Sequence, residues 1–223
     1  MQLRSLIAPG PKDREICVGD MINKGPLSLE VLRLIRQEGI EAIRGNHEDK
    51  FIRYNVHEKE KERTGKKNPM RLEAGELRLY HSMSLEDFEF LYSLPLFIQF
   101  SSYTVVHAGV LPSTDLWHLD KKEAAKVMRV RYVDYKGRFV TLDRSDPMIH
   151  FWWSELYDGR YGTIIYGHQP FLRPRVDRFS IGIDTGAVYG NALTALVIDG
   201  VEPHFVQVPS GTYAKRSRPW PLL

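Results

Sequence analysis

The sequence has little of what marks disulfide-rich, membrane or strongly charged proteins. Cys17 is the one cysteine in 223 residues, which excludes an intramolecular disulfide and a metal site built from several cysteines. No apolar run approaches the roughly 18 residues that a membrane span needs, and the opening residues lack the apolar core of a secretion signal. The 31 Lys and Arg against 28 Asp and Glu leave a net charge of +3, which alone gives no reason to expect nucleic acid. We therefore expect a cytoplasmic protein with no membrane partner.

Short β-rich runs alternate with helical stretches along the chain, a pattern that predicts an α/β fold. A strand is expected over residues 15–20, a helix from Pro26 to Gly39, and a second strand over 40–45. This spacing makes the two strands parallel neighbours whose following loops lie at the same edge of the sheet. Because there is no internal repeat or low-complexity linker, we expect a single domain over residues 1–223.

The rest of the chain divides into helical and strand-rich parts. A charged helix is expected from Glu48 to about Lys67, and Ser84 with its acidic neighbour three residues later predicts the start of another. The second half is rich in strands, so we expect a second sheet or antiparallel strands that complete the first. The basic tail from Tyr213 to Trp220 is interpreted as a solvated terminus.

Four successive loops place a metal-binding type of side chain after a predicted strand. They are GDMINKGP with Asp20, GNHE with Asn46 and His47, VVHAGV with His107, and IIYGHQP with His168. Glycines in such loops let the backbone turn sharply and let a metal or phosphate approach closely. Carboxylate, amide oxygen and imidazole together suit a borderline divalent ion such as Mn, Fe, Zn or Ni. A lone histidine of this kind is more often structural, but four such motifs in this order indicate a metal centre.

Other kinds of phosphate chemistry find no support in the sequence. A cysteine-nucleophile phosphatase needs an arginine six positions after the cysteine, and Asn23 stands there after Cys17. The sequence also lacks a G-x-x-x-x-G-K-[ST] loop, a G-x-G-x-x-G loop and a G-x-S-x-G turn.

The four loops resemble the motifs of the calcineurin-like metallophosphoesterases, specifically the phosphoprotein phosphatase branch. That branch carries D-x-H-G, G-D-x-x-D-R-G, G-N-H-E/D, H-A/G-G and a final G-H. The resemblance extends from Ile16 to about Gly200 and also includes WSELYDGRYG and IDTGAVYG. Within the branch, the sequence is most similar to bacterial symmetric dinucleoside tetraphosphatases and their ApaH-like relatives.

The resemblance implies a two-sheet αββα sandwich of the metallophosphoesterase type, with two divalent ions (Mn, Fe, Zn, Ni or Co) at the strand ends. Asp20 would bridge the ions and so take part in catalysis. Asn46, His107 and His168 would hold the second ion, and His47 would protonate the leaving group. Two such cations activate a water molecule and neutralise phosphoryl oxygens during an in-line displacement.

The resemblance also implies a set of phosphate-binding residues. The family clamps phosphate with two arginines and with the amide that Asn46 represents here. Lys24 stands where the first arginine is expected, and Arg131 or Arg129 is the candidate for the second. Lysine supplies a point charge without the bidentate fork of arginine. Asn23 replaces the aspartate that orients the catalytic histidine in protein phosphatases, and a neutral amide stabilises an imidazolium less.

The D-x-H-G motif, which supplies ligands of the first metal, does not occur upstream of Asp20. The opening residues resemble the end of the helix that follows this motif in the family. We expect either that the chain as given begins downstream of the motif, or that it is a variant with an incomplete site. In its present form the chain would bind one metal well and the other poorly.

The sequence thus predicts a divalent-metal-dependent phosphohydrolase acting on nucleotide-type substrates, with dinucleoside polyphosphates and RNA 5′ ends as the leading candidates. One alternative is a protein Ser/Thr phosphatase, against which Asn23 and Lys24 argue. Another is a phosphate-binding pseudoenzyme with an incomplete metal site. The sequence leaves the oligomeric state open.

Overall fold

The computed structural model describes residues 1–200 and 202–215 and shows a mixed α/β fold with several sheets, as predicted. Residues 216–220 of the basic tail lie outside the described residues. In the described ranges, no helix is both long and apolar enough to cross a membrane. The helices are α1 (Gln2–Ile7), α2 (Ser28–Gln37), α3 (Asn46–Thr64), α4 (Ala74–Ser82), α5 (Leu85–Ser93) and α6 (Lys121–Val127). The strands are β1 (Ile16–Cys17), β2 (Glu41–Ala42), β3 (Phe97–Phe100), β4 (Tyr103–Val106), β5 (Tyr132–Val133), β6 (Phe139–Val140), β7 (Phe151–Trp152), β8 (Thr163–Tyr166), β9 (Arg175–Asp177), β10 (Ser180–Gly182), β11 (Ala192–Val197) and β12 (His204–Pro209).

The predicted β-α-β unit is present near the start of the chain. Strands β1 and β2 pair in parallel, with Ile16 opposite Glu41, and α2 connects them. The helix begins two residues later than expected from Pro26, because the chain is still in a turn there, which Ser28 closes by donating its hydroxyl to the Gly25 carbonyl. Helix α2 then buries Leu32 against the core.

The largest sheet has five strands in the order β3-β4-β8-β10-β9. The three central strands run parallel, whereas β3 and β9 pair antiparallel at the two edges. The carboxyl ends of the central strands therefore lie at one edge of the sheet, which is where α/β proteins place their ligand sites. The strands β6-β5-β7 and the hairpin β11-β12 form separate antiparallel groups, as expected for the strand-rich half.

A small apolar cluster joins the β1-β2 pair to the five-stranded sheet. It consists of Ile43, Val105 and Ile165, each at most 5% exposed, with Ile16 and Val18 packed against them. The loops that follow the strands on both sides of this cluster therefore meet over a rigid apolar base.

The charged helix α3 and helix α5 agree with their local sequence signals. Helix α3 begins at Asn46, two residues earlier than predicted, and ends at Thr64 before Gly65, whose φ of 73° is readily adopted by glycine. At the start of α5, Ser84 and Asp87 each bond the backbone N–H of the other, which forms the predicted capping pair.

Candidate metal centre and active site

The loop after β1 presents Asp20 in an uncommon backbone conformation. Gly19 and Asp20 have φ values of 86° and 54°, so the chain turns sharply as the strand ends. The loop after β2 approaches so closely that a Cβ on Gly45 would overlap with the Asp20 carboxylate. This approach lets the backbone N–H of His47 donate to Asp20 Oδ1 at 3.1 Å. Both glycines of the two motifs are thus required by close packing of one loop on the other.

Glu48, in the first turn of α3, ties these loops together. Its Oε2 accepts hydrogen bonds of 2.9 Å from the backbone N–H groups of Asp20 and Gly45, and its Oε1 accepts one of 3.2 Å from Ile22. The side chain is fully buried. Burial and the neighbouring Asp20 raise the pKa of Glu48 to about 7.

His107, immediately after β4, directs one ring nitrogen toward two oxygen atoms. Its Nδ1 lies 2.8 Å from the Val18 carbonyl oxygen, which accepts only, so Nδ1 carries the hydrogen. In the neutral ring, Nε2 then has a lone pair, and it lies 3.1 Å from Asn46 Oδ1 and 3.3 Å from Asp20 Oδ1. Lone pairs that converge in this way repel one another unless a cation or a proton lies among them.

His168, two residues after β8, completes the cluster. Donor atoms of Asp20, His107 and His168 lie within 4.8 Å of one another. The Nε2 atom of His168 is buried and makes no hydrogen bond within the described part of the chain. An unpartnered buried nitrogen beside a carboxylate and a second imidazole is chemically suited to a borderline divalent ion. The residues present therefore fit such an ion.

The pKa values of Asp20 and His168 favour metal-binding protonation states, whereas that of His107 favours a protonated ring. Burial opposes ionisation of Asp20, but the adjacent His107 outweighs it and lowers the pKa of the carboxyl below its ordinary value. Burial, followed by the positive charge of Arg131, holds the pKa of His168 well below the usual range. For His107, burial is outweighed by Asp20, and its pKa is raised. In the absence of a metal ion, a proton on Nε2 would relieve the repulsion among the lone pairs.

His47 lies beside this cluster and makes the predicted contact with Asn23. Its Nδ1 is 2.9 Å from Asn23 Nδ2, while its Nε2 is 3.8 Å from Asp20 Oδ2. Burial lowers the pKa of His47 despite the attraction of Asp20. The Asn23 amide nitrogen also donates to Glu76 Oε1 at 2.8 Å.

The three predicted phosphate-binding cations have different surroundings. Lys24 is exposed and donates to the Tyr189 hydroxyl at 3.0 Å. Arg129 donates to Asp49 on α3 at 3.1 Å, so its charge is already paired. Arg131 has a buried Nε that bonds to no residue that the structure describes, and burial lowers its pKa. The geometry thus distinguishes Arg131 from Arg129, which sequence reasoning left as alternatives.

Sequence reasoning did not assign several residues that the structure brings to this site. Asp184 follows β10 by two residues, and burial raises its pKa, with the nearby Asp20 adding to the effect. The string IDTG follows an apolar run as the four recognised motifs do, so a signal for Asp184 was present. Glu76 and Tyr189 reach the site through contacts that no local pattern indicates.

The sequence matches the calcineurin-like phosphoesterase family over residues 3–192. The chain belongs to the calcineurin-like phosphoesterases. Calcineurin-like phosphoesterases use divalent metals, and the chain is a hydrolase of this family.

Individual proteins of known sequence or structure align with most of this chain. The bis(5′-nucleosyl)-tetraphosphatase PrpE of Oceanobacillus iheyensis, named as asymmetrical, is 34% identical over 209 residues, which are 87% of this chain and 77% of the relative. The serine/threonine-protein phosphatase 1 of Salmonella typhimurium is 30% identical over 196 residues, or 82% and 77% of the two chains. A crystal structure provisionally described as a diadenosine tetraphosphatase has a TM-score of 0.71 at 24% identity, covers 94% of this chain and 86% of its own, and shows the shared fold.

Proposed function

We propose that the chain is a divalent-metal-dependent phosphohydrolase that cleaves phosphoanhydride bonds of dinucleoside tetraphosphates. The supporting observation is the approach of His107 Nε2 to both Asn46 Oδ1, at 3.1 Å, and Asp20 Oδ1, at 3.3 Å, with buried Arg131 nearby. Phosphoryl transfer depends mainly on positioning and on neutralising charge at the phosphorus centre. The name of the Oceanobacillus relative favours dinucleoside tetraphosphates over other nucleotide-type substrates.

The proposed metal site consists of Asp20, Asn46, His107 and His168. A divalent ion of the Mn, Fe, Zn, Ni or Co class would supply an activated water molecule and would neutralise charge on the phosphoryl oxygens. A second ion, as the family pattern implies, would share Asp20 and would need donors in addition to these four residues.

The remaining site residues would bind the substrate and stabilise the leaving group. Arg131 would bind a phosphoryl oxygen, because its buried Nε lacks a partner among the described residues. Lys24 would bind a more exposed phosphate at the mouth of the site. His47 would donate a hydrogen bond from Nε2 to the oxygen of the leaving phosphate. Arg129 has no role in this scheme, because it pairs with Asp49.

The test is hydrolysis of diadenosine tetraphosphate with Mn²⁺ or with EDTA, and with His47→Ala as the blank. We expect metal-dependent turnover that the substitution abolishes. Anion-exchange chromatography of the products separates ATP plus AMP, the asymmetrical cleavage, from two molecules of ADP, the symmetrical one. Turnover that neither EDTA nor the substitution reduces would contradict the proposal.

Two further substrates distinguish the remaining hypotheses. Hydrolysis of a phosphopeptide without hydrolysis of the dinucleotide would favour the protein phosphatase function, to which the name of the Salmonella relative points. Preferential cleavage at an RNA 5′ end would move the substrate assignment to RNA while keeping the same chemistry.

A further inference from the structure

A chain of polar contacts extends from His47 through Asn23 to Glu76, which lies on α4, outside all of the sequence motifs. The two links measure 2.9 Å and 2.8 Å. Glu76 is only 8% exposed, and both of its carboxylate oxygens lie 2.6 Å from Lys50 Nζ. A buried carboxylate thus contacts the amide that touches His47.

The partners of the Asn23 amide determine its orientation. Its Oδ1 lies 3.0 Å from the backbone N–H of Lys24, which can only donate. Its Nδ2 lies against Glu76, and the ion pair with Lys50 outweighs burial and keeps the pKa of Glu76 below its ordinary value, so this carboxylate accepts. The reversed amide would set N–H against N–H on one side and oxygen against oxygen on the other.

This orientation determines which nitrogen of His47 carries the hydrogen. Because Asn23 Nδ2 donates, His47 Nδ1 must accept, and in the neutral ring the hydrogen is on Nε2. That nitrogen faces Asp20 Oδ2 and the candidate metal centre. The backbone N–H of Asn23 donates to the Ser28 hydroxyl at 3.0 Å, which holds the backbone in place. Only the side-chain amide could therefore turn over if its partners were removed.

We propose that Glu76 is a positioning residue of the active site, which holds the Asn23 amide in one orientation and thereby fixes the His47 ring with its Nε2 hydrogen toward the leaving group. The inference rests on the proposed function, since it takes His47 as the hydrogen-bond donor to the leaving oxygen. Its tests must therefore include measurements that do not depend on turnover.

The first test is the tautomer of His47 in the metal-free protein, measured from long-range ¹H–¹⁵N correlations of the imidazole ring and assigned with His47→Ala. We expect hydrogen on Nε2 in the unmodified chain. In Glu76→Ala, the acceptor for Asn23 Nδ2 is absent, the Asn23 amide loses its fixed orientation, and the two tautomers mix. An unchanged tautomer in Glu76→Ala would overturn the proposal.

The second test reverses the polarity of the contact. Asn23→Asp alone places two carboxylates where the structure has a 2.8 Å hydrogen bond, so its melting temperature should fall. Adding Glu76→Gln supplies a donor to the new carboxylate, so the double variant should melt above the Asn23→Asp single variant and should carry its hydrogen on His47 Nδ1. Additive losses of stability, with the hydrogen still on Nε2, would contradict the proposal.

The third test compares phosphate esters with good and poor leaving groups. A hydrogen bond to the leaving oxygen matters most when the leaving group is poor, because more negative charge then develops on that oxygen. In Glu76→Ala, kcat for phenyl phosphate should therefore fall about 10-fold more than kcat for p-nitrophenyl phosphate. Leu79→Ala on the same helix weakens packing without touching the polar chain, and should leave the ratio of the two rates unchanged. Equal losses on both esters in Glu76→Ala would count against a positioning role.

The outcomes separate this inference from the proposed function. If no phosphate ester is hydrolysed but the tautomer and the reversed pair behave as expected, the function is wrong and the Glu76 contact chain still stands. If turnover depends on metal and on His47 but the His47 tautomer does not change when Glu76 is replaced, the proposed function stands and the proposed role of Glu76 is wrong.

Discussion

Replacing Glu48 with alanine removes three hydrogen bonds that hold the loop after β1 against the first turn of α3. The donors are the backbone N–H groups of Asp20, Ile22 and Gly45, and the carboxylate that accepts them is fully buried. A buried donor left without a partner costs about 1–3 kcal/mol, so three cost about 3–9 kcal/mol. Because a domain has only about 5–15 kcal/mol of stability in total, Glu48→Ala should lose a large fraction of its stability.

Glu48→Gln tests the same reasoning at a smaller magnitude. Its one carbonyl oxygen can take the place of Oε2 and keep two of the bonds, so the loss should be about 1–3 kcal/mol, that of the Ile22 bond alone. Guanidinium unfolding followed by tryptophan fluorescence measures both variants. Glu60→Ala is the matched control, since the Glu60 side chain is 42% exposed on the same helix and pairs with Arg63, and it should change stability by about 0.5 kcal/mol or less. A Glu48→Ala chain as stable as the control would refute the reasoning.

Three other predictions follow from the site and its surroundings. Burial opposes ionisation of Asp87, but hydrogen bonds from Arg33 lower its pKa below 3.8. The stability that the carboxylate contributes is therefore complete above pH 3.8 and is lost as the pH falls through the lower pKa of the folded state. Asp87→Asn should make the melting temperature of the chain less dependent on pH over that acid range. Saturating Mn²⁺ should raise the melting temperature, because at a hundredfold excess over Kd it adds about 2.7 kcal/mol to the free energy of unfolding. His168→Ala should remove this shift, whereas His118→Ala, at an exposed histidine, should keep it. Arg131→Ala should lower kcat/KM by about 10²-fold as a lost charge-stabilising contact, whereas Arg129→Ala should affect stability alone, and equal kinetic losses in the two variants would contradict the assignment.

The features that could be predicted from the sequence are those with a local cause. The parallel pairing of β1 with β2 follows from a short strand-helix-strand spacing, and the capping of α5 follows from Ser84 and Asp87 being three residues apart. The meeting of the Asp20 loop with the Asn46 loop was predictable because the parallel strands β1 and β2 present their carboxyl ends at one edge. These inferences need no knowledge of distant contacts.

The features that could not be predicted depend on contacts between distant segments. Arg129 and Arg131 are two residues apart with the same charge, and it is Asp49, on another helix, that pairs with the first of them. Glu76 lies 53 residues from Asn23, and nothing in the sequence around it marks a contact with the site. The position of Pro26 misled the helix prediction because the turn closed by Ser28 extends past the proline.

Four residues of the site region, Asp20, Asn23, Lys24 and His168, have left-handed backbone with φ between 54° and 72°. Asparagine, aspartate and histidine adopt this conformation more readily than most residues, but lysine does not. Lys24 thus occupies a position where glycine would relieve backbone strain of about 1 kcal/mol. A selection for thermal stability alone would favour Lys24→Gly and would remove a proposed phosphate contact in the same step, so stability and substrate binding are opposing demands on this one residue.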